Sequence, residues 1–336
     1  MPASALRWGL LSTAHITKAL LDPLRTSKRN RLLAVASRSE DIAIEYARKH
    51  KVDRAYGSYT DLLADPDIDV IYNPLPNHLH AEWTIKAVQA GKHVLCEKPL
   101  ALSLAEVDAI STASERYRKV VVEAFMYRTH PQTLKVQEIV AGGKLGKIKL
   151  VRGSFTYIAT NPDNIRWKPE MGGGALWDVG CYPLSYTRTL LGVEPLDVFG
   201  SQVTGPTGVD ELFVAQLHFP APYWNRDYPE HVYAQFDCSF IIPDHTFMEI
   251  IGDEATLIIP RPFTPGLKEK LFLTRAGKTE TIAVKGAKLY TGEVEDLADA
   301  ILLGKPPRVS LNDSRSNTAA ILALFESAQT GKPVMM

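Results

Sequence analysis

The first third of the chain alternates short apolar runs with longer segments of helical character, and this alternation restricts the fold more than any other feature. The apolar runs include Leu6–Ser12, Arg31–Ser37 and His93–Cys96, and the predicted helices between them include Glu40–His50 and Leu104–Tyr117. Strands that alternate with longer helices favour a parallel sheet covered by helices. The nearly all-apolar strands also fit a sheet that is buried on both faces.

After Arg128 the pattern changes, because one helix, Pro131–Ala141, is followed mainly by strand-like runs separated by turn-rich pieces. This succession predicts a large antiparallel sheet, with Trp177–Leu191 as a helix on one face. We therefore predict an α/β protein with a doubly wound Rossmann sheet over residues 1–128. An α+β domain with a large open antiparallel sheet follows over residues 129–336. A length of 336 residues also favours two domains.

The open sheet needs something to cover its outer face. Aromatic residues such as Phe213, Phe236 and Phe240 lie on its predicted strands. If these side chains face away from the helices, they need an apolar partner. The expected solution is a homodimer formed through the C-terminal sheet, with a higher homo-oligomer as the alternative.

Charge and cysteine content exclude several classes of protein. Lys plus Arg and Asp plus Glu number 38 each, so no net positive field favours nucleic acid or an anionic membrane. The three cysteines do not form a disulfide framework, which predicts a cytoplasmic protein. Met1–Arg7 lacks a signal-peptide pattern, and no apolar run is long enough to span a membrane. No spacing of His, Cys and Asp resembles a zinc site, so no metal is predicted.

The turn after the first strand is where a Rossmann domain holds a pyrophosphate, at the N-terminus of the first helix. The three glycine positions of the GxGxxG pattern fall at Ser12, Ala14 and Thr17, and none is glycine. Taken alone, this turn fits an ordinary strand-to-helix connection better than a nucleotide site. Small residues still let the backbone approach a phosphate. The predicted cofactor-binding residues here are Ser12, Thr13, Ala14, His15 and Ile16.

The second strand ends at Ser37 and Arg38, where NAD-binding domains carry an acid for the ribose hydroxyls. A hydroxyl and a guanidinium suit a 2′-phosphate instead, because a guanidinium binds phosphate through paired hydrogen bonds. The predicted cofactor is therefore NADP. The alternative is a solvated surface arginine without a role in cofactor choice.

Four later segments appear together in a fixed order. They lie within residues 56–72, 76–80 (PNHLH), 91–99 (GKHVLCEKP) and 172–182 (GGGALWDVGCY). They resemble the glucose-fructose oxidoreductase/inositol dehydrogenase (Gfo/Idh/MocA) family. Two further stretches, Glu123–Arg128 and Asp163–Trp167, resemble the branch of NADP-dependent D-xylose dehydrogenases and dimeric dihydrodiol dehydrogenases. The resemblance implies a Rossmann domain, an open-sheet domain, a nicotinamide cofactor and often a dimer.

The resemblance also implies the positions of site residues. The cofactor contacts implied by the family pattern are Leu75, Pro76, Asn77, His80, Glu97, Lys98, Arg166 and Trp167. The implied substrate pocket comprises Lys98, Arg128, Tyr157, Asp178, Tyr182 and Tyr290. Three of them, Lys98, Asp178 and Tyr182, are implied to be catalytic. A helix cap at Asn77 and a core position for Trp167 are the structural alternatives.

The chemistry of the three catalytic candidates supports these roles. Asp178 and Tyr182 are four residues apart, which places both on one face of a helix. A phenol can act as a general base once its pKa of about 10 is lowered, and Lys98 is the candidate cation. The run Gly172–Gly174 would let the chain approach the cofactor before the helix begins. The alternatives are a surface lysine, a capping aspartate and a core tyrosine.

The predicted reaction is oxidation of the anomeric hydroxyl of an aldose such as D-xylose or D-glucose, or of one carbinol of a vicinal diol. Tyr182 would take the hydroxyl proton, Lys98 would hold the oxygen, and Asp178 would orient a neighbouring hydroxyl. Three alternatives remain: a sugar–sugar oxidoreductase with tightly bound NADP, a redox-assisted glycosidase, and a non-catalytic NADP-binding regulator. A change in nicotinamide absorbance with a panel of sugars separates the enzyme from the regulator.

Overall fold

The structure is a computed structural model that describes residues 5–224 and 231–336. The chain forms two compact units, the first from residues 1–129 and 290–315 and the second from residues 130–289 and 316–336. The signal-peptide prediction concerns Met1–Arg7, and the first four of these residues lie outside the described part.

The first unit is built on a six-stranded parallel sheet. Its strands are β1 (Leu6–Leu11), β2 (Asn30–Ala36), β3 (Arg54–Tyr56), β4 (Val70–Asn73), β5 (His93–Glu97) and β6 (Val121–Ala124). The helices that connect them are α1 (Lys18–Thr26), α2 (Glu40–His50), α3 (Tyr59–Ala64), α4 (His80–Gln89) and α5 (Leu104–Tyr117). The strand order β3-β2-β1-β4-β5-β6 is that of a doubly wound Rossmann sheet, so the predicted fold is confirmed. Ligands of such sheets bind at the carboxyl ends of the strands, where the order reverses between β1 and β4.

Local sequence accounts for the helix boundaries in this unit. Ser58 and Ser103 precede α3 and α5, and their hydroxyls accept N–H groups from the first turn of each helix. Gly91 follows α4 with a φ of 80°, a conformation that glycine adopts without strain. The sequence prediction that Gly91 ends a helix is therefore confirmed.

The second unit contains a nine-stranded sheet and the helices α6 (Pro131–Ala141) and α7 (Cys181–Leu191). The strands are β7 (Ile148–Thr156), β8 (Asp197–Thr204), β9 (Asp210–Phe219), β10 (Val232–Ser239), β11 (His245–Gly252), β12 (Thr256–Ile259), β13 (Lys268–Arg275), β14 (Lys278–Lys285) and β15 (Val334–Met335). Their order is β14-β13-β12-β11-β7-β10-β9-β8-β15. The sheet is mostly antiparallel, as predicted, but β7 and β10 pair in parallel, so it is mixed. The sequence did not predict β15, because two residues are too short to show a pattern.

The two faces of this sheet differ in exposure. The three aromatic residues expected on the outer face, Phe213, Phe236 and Phe240, are buried instead. The ring of Phe213 lies 5.8 Å from that of Phe325, so it packs on the helical side of the sheet. The expectation was wrong because alternation along a strand does not reveal which set points inward. The residues that are exposed on the other face include Phe199, Val203, Val214 and Tyr233.

Two helices close the chain, α8 (Thr291–Leu303) and α9 (Leu311–Thr330). The sequence placed residues 290–315 in the second domain, but they belong to the first unit. The physical reason is a set of ion pairs, in which Arg29 binds Glu295 and Asp299 of α8 at 2.5 Å each. These partners are more than 260 positions apart in the chain, so no local pattern could reveal them.

Three further features concern only the residues that the structure describes. No helix among them is long and apolar enough to cross a membrane. No group of three or more His, Cys, Asp or Glu side chains there could hold a metal ion. Cys96, Cys181 and Cys238 are buried, as is common for cysteines that act as small apolar packing residues.

Candidate active site

The turn between β1 and α1 carries residues predicted to bind phosphate. Ser12 has a φ of 119°, a conformation that favours glycine, and its hydroxyl accepts the N–H of Ala14 at 3.1 Å. Thr17 is buried, and its hydroxyl contacts the Ala14 carbonyl and the Tyr46 hydroxyl at 2.6 and 2.7 Å. At Ser12 the turn thus adopts a conformation that favours glycine, and side-chain hydroxyls hold it.

The end of β2 carries Ser37 and Arg38, and neither of these two positions is an acid. Ser37 is buried, and its N–H donates to the Tyr56 carbonyl at 3.0 Å, which aligns the strand end. Arg38 is exposed beside Tyr59. Burial raises the pKa of Tyr59, and the Arg38 guanidinium opposes that shift. An exposed guanidinium at this edge is available to bind a phosphate.

His80 joins the loops that follow β4 and β5. The side chain is fully buried, with Nδ1 2.7 Å from the Pro99 carbonyl and Nε2 2.6 Å from the Leu75 carbonyl. Burial lowers the pKa of His80 to about 4, and the two carbonyls oppose that shift without cancelling it. Both ring nitrogens lie beside protein carbonyls, and the neutral ring donates its one N–H to one of the two. The predicted cofactor contact of His80 stays a prediction. Asn77 begins a short 3-10 turn, and the preceding Pro76 takes the capping position.

The predicted catalytic lysine follows β5 directly. The Tyr72 hydroxyl donates to Glu97 Oε1 at 2.6 Å, and the Lys98–Pro99 bond is cis. Lys98 is partly exposed at the carboxyl edge of the sheet, where ligands of this fold bind. Two residues later, the Leu100 N–H donates to Glu123 Oε1 of β6 at 2.9 Å. Buried contacts on both sides therefore hold the loop that carries Lys98.

Two predicted pocket residues, Arg128 and Tyr290, belong to the first unit. The Arg128 guanidinium is buried and binds Asp313 at 2.8 Å and the Arg308 carbonyl at 3.0 Å. These contacts join Arg128 to the start of α9, and its substrate contact stays a prediction. Tyr290 precedes α8, and its pKa is raised by burial first and then by Glu97 and Glu293.

In the second unit, the glycine run leads into a π-helical turn, Leu176–Gly180, before α7. The Gly174 N–H donates to the Arg166 carbonyl at 2.9 Å, and a side chain at Gly173 would collide with that carbonyl. Within this unit, the glycines thus serve close packing on the Arg166 turn, whereas the sequence interpretation assigned them to cofactor approach. The sequence showed that glycines stand at these positions, but it could not show that they contact the Arg166 carbonyl.

Asp178 lies in the π-helical turn at the centre of a polar cluster. Arg166 Nε and Nη2 donate to its two oxygens at 2.6 and 3.4 Å, and the Tyr157 hydroxyl donates at 3.0 Å. Burial disfavours the charge on Arg166, but Asp178 outweighs it and raises the Arg166 pKa. Asp178 is therefore an ion-paired acceptor inside the turn and not a helix cap. Arg166, predicted as a cofactor contact, is placed by the structure beside Asp178.

Aromatic rings surround this cluster. Tyr182 is buried, and its ring lies 5.3 Å from Phe155 and 5.7 Å from Phe263. Trp167 is half-buried, and its ring lies 5.4 Å from Phe240, while its indole N–H donates to the Asn161 carbonyl. Tyr182 also interacts electrostatically with Arg166. The second unit thus brings together Tyr157, Arg166, Trp167, Asp178 and Tyr182, all from the predicted set.

The sequence analysis missed residues whose only signal is a distant contact. Phe155 and Phe263 pack on Tyr182, but each reads as an ordinary core aromatic. Asp210 accepts the Leu176 N–H at 2.7 Å, although 34 residues separate them. His218, expected to be structural, contacts Asp197 at 2.7 Å and His231 at 2.5 Å, on strands whose alternate residues are exposed.

A doubly wound sheet with small residues in the turn after β1 is the architecture of dinucleotide-binding Rossmann domains. Residues 6–125 match a family described as oxidoreductases with an NAD-binding Rossmann fold, and residues 133–258 match the GFO/IDH/MocA C-terminal domain. The chain therefore belongs to the Gfo/Idh/MocA family of oxidoreductases, which confirms the resemblance found in the sequence.

Individual relatives agree with this assignment. The chain is 34% identical over 332 residues to a D-xylose 1-dehydrogenase (NADP(+)) from Haloferax volcanii, covering 98% of this chain and 99% of the relative. It is 34% identical over 259 residues to a trans-1,2-dihydrobenzene-1,2-diol dehydrogenase from Danio rerio, covering 76% and 75%. A 3-ketoreductase from Actinomadura kijaniata, solved with NADP and TDP-benzene, superimposes with a TM-score of 0.87 at 27% identity, covering 96% and 98%.

Proposed function

We propose that this oxidoreductase is an NADP-dependent dehydrogenase that transfers a hydride between the nicotinamide and a CH–OH carbon of an aldose or a vicinal diol. The observation that carries the proposal is the cluster of Asp178, Arg166 and Tyr157 on the turn that leads to Tyr182. A fixed carboxylate beside a phenol suits a substrate with hydroxyls on neighbouring carbons. The xylose and dihydrodiol dehydrogenases named above are relatives with substrates of this kind.

The residues at the end of β2 fit NADP better than NAD. Arg38 is exposed there and follows buried Ser37, and neither position carries the acid that would bind the ribose hydroxyls of NAD. We therefore propose that Arg38 and Ser37 bind the 2′-phosphate and that residues 12–16 bind the pyrophosphate. Calorimetric titration should show tighter binding of NADP⁺ than of NAD⁺. Equal affinity for the two would contradict this assignment.

The proposed mechanism divides the work among three side chains. When bound, NADP supplies the nicotinamide carbon that takes the hydride. Tyr182 accepts the hydroxyl proton. A nearby cation favours the phenolate of Tyr182, and we propose Lys98 and Arg166 for this role. Lys98 also stabilises the developing charge on the substrate oxygen. Asp178, oriented by Arg166 and Tyr157, accepts a hydrogen bond from the neighbouring hydroxyl.

Two substitutions test these roles. Lys98→Met and Tyr182→Phe should each lower kcat by about 10²- to 10⁴-fold on the true substrate, because each removes a group that acts on the transferred proton or on the oxygen. The substrate is found with D-xylose, D-glucose and a trans-dihydrodiol, followed at the nicotinamide absorbance. Tyr186→Phe is the matched control, since Tyr186 is a buried tyrosine on the same helix. Near-normal turnover in both test variants would refute the assignment.

The proposal includes the division of labour, the assembly and the location of the protein. We propose that the first unit binds the cofactor and that the second supplies most of the substrate contacts. The exposed sheet residues Phe199, Val214 and Tyr233 support a homodimer formed through the second sheet, and we propose a cytoplasmic location for it. Light scattering should give twice the mass of the chain, and Val214→Asp should reduce it to one chain. A monomeric wild type would contradict the proposed dimer.

A further inference from the structure

Asp210 is a buried carboxyl group that the proposed mechanism does not use. It is the first residue of β9, lies opposite Thr204 of β8, and is 3% exposed. Its Oδ2 accepts the Leu176 N–H at 2.7 Å, and the Ala175 N–H also bonds to it. These are two of the N–H groups that the start of a helix leaves without a partner inside the helix. A single side chain from the sheet thus satisfies both.

The turn that Asp210 holds is the one that carries the proposed site. Leu176 begins the π-helical turn, Asp178 lies two residues further on, and Tyr182 is the second residue of α7. Gly174, just before the turn, donates its N–H to the Arg166 carbonyl. The carboxyl group therefore contacts the segment at the point where the Arg166 turn and the start of the helix meet.

The fit around this carboxyl group is close. Gly174 has a φ of 114°, and a side chain built there would collide with Asp210 Oδ1. No charged side chain contributes to the hydrogen bonds of Asp210, and the titratable side chain that faces it from β10 is Cys238. The partial positive charge at a helix N-terminus thus supplies the main compensation for a carboxylate at this position.

We propose that Asp210 is a positioning residue, which fixes the π-helical turn so that Asp178 and Tyr182 keep their catalytic orientation. The inference rests on the proposed function, because the roles of Asp178 and Tyr182 come from it. Asp210 acts through the backbone N–H groups of residues 175 and 176 and touches neither side chain in the hydrogen bonds described. A displacement of about 1 Å at a catalytic group can cost about 100-fold in rate, so a modest loosening of this turn should be measurable.

The carboxyl group also gives the inference a pH signature. Burial raises the pKa of Asp210 to about 7, against the opposing effect of the backbone hydrogen bonds. Above that pH the carboxylate accepts the N–H groups of residues 175 and 176. Below it one carboxyl oxygen is protonated and becomes a donor, so the hydrogen bonds to the turn weaken. The kcat of the wild type should therefore rise through about pH 7. Asp210→Asn cannot ionise, so its kcat should not show this rise through pH 7. The asparagine should retain an acceptor for the Leu176 N–H.

Three variants of the full chain test the proposal. Asp210→Ala should lower kcat about 100-fold with a smaller change in KM. Asp210→Asn, which resembles the protonated acid, should recover part of that loss and match the kcat of the wild type below pH 7. Glu269→Gln is the matched control, because Glu269 is also a buried acid in the second unit and accepts the Gly266 N–H far along the chain from the turn. It should keep kcat within twofold of the wild type even if its melting temperature falls.

Hydrogen exchange provides a readout that needs no turnover. The amides of residues 174–178 should exchange fastest in Asp210→Ala, slowest in the wild type above pH 7, and at an intermediate rate in Asp210→Asn. If Asp210→Ala does not fold, Gly174→Ala, which pushes against the same carboxyl group, should show the same loss of kcat and of protection. The proposal is overturned if kcat stays within twofold, or if the amides keep their protection. If no sugar or diol is turned over by the wild type, the proposed function fails while the exchange result still decides the role of Asp210.

Discussion

Glu123 on β6 is a carboxyl group whose replacement should stabilise the protein at alkaline pH. It is 3% exposed, and its Oε1 accepts the Leu100 N–H at 2.9 Å, next to the loop that carries Lys98. Burial raises its pKa from 4.5 to about 7, with Asp313 adding to the shift while the Leu100 N–H and Arg128 oppose it. Glutamine keeps an oxygen for the Leu100 N–H but cannot ionise. Glu123→Gln therefore isolates the free-energy cost of the charge.

The magnitude follows from linkage between protonation and folding. Between the two pKa values the folded protein holds a proton on Glu123 that the unfolded chain has released. The contribution of Glu123 to the free energy of unfolding is therefore greatest below pH 4.5 and is lost as the pH rises through about 7. At about 1.4 kcal/mol per pKa unit, the wild type loses about 2.5 kcal/mol from this group between pH 5 and pH 8. Glu123→Gln does not lose it, so its advantage in unfolding free energy should grow by about that amount.

Urea unfolding at pH 5 and pH 8, followed by tryptophan fluorescence, measures this difference. Glu115→Gln is the control, because Glu115 is exposed on α5 and its loss should leave the pH profile of the wild type unchanged. A stability difference between Glu123→Gln and the wild type that stays constant from pH 5 to pH 8 would refute the reasoning. A growing disadvantage of the variant would refute it as well.

Two further predictions concern the nucleotide end of the chain. Ser12→Gly should be more stable than Ser12→Ala by about 1–2 kcal/mol in chemical denaturation, because both variants lose the hydroxyl contact with Ala14 but only alanine keeps the strained φ of 119°; equal stability of the two variants would contradict this. His80→Phe should weaken NADP⁺ binding about tenfold in calorimetry, because the Leu75 and Pro99 carbonyls lose the imidazole that lies between them and the loops move. Unchanged affinity would show that the loops keep their shape without the imidazole.

The first unit was largely predictable, because its fold depends on local patterns. Apolar runs of strand length alternate with capped helices, and α2, α3 and α5 begin and end where the sequence placed them. The motifs around Lys98 and Asp178 identified the family before any contact was known, and the comparisons confirm it. Residue type and spacing carry such information because strands, helices and turns depend on neighbours in sequence.

The tertiary structure decided what those residues touch. The pairing of Arg166 with Asp178, the tie of His80 to the Leu75 and Pro99 carbonyls, and the hold of Asp210 on Leu176 join segments that no local pattern connects. The same holds for the inward direction of Phe213 and its neighbours, since strand alternation is symmetric between the two faces until packing breaks the symmetry. Sequence by itself thus determined the family, the secondary structure and the types of reactive group, because these depend on local chemistry. The partners and burial of those groups depend on contacts across the fold, and only the folded chain specifies them.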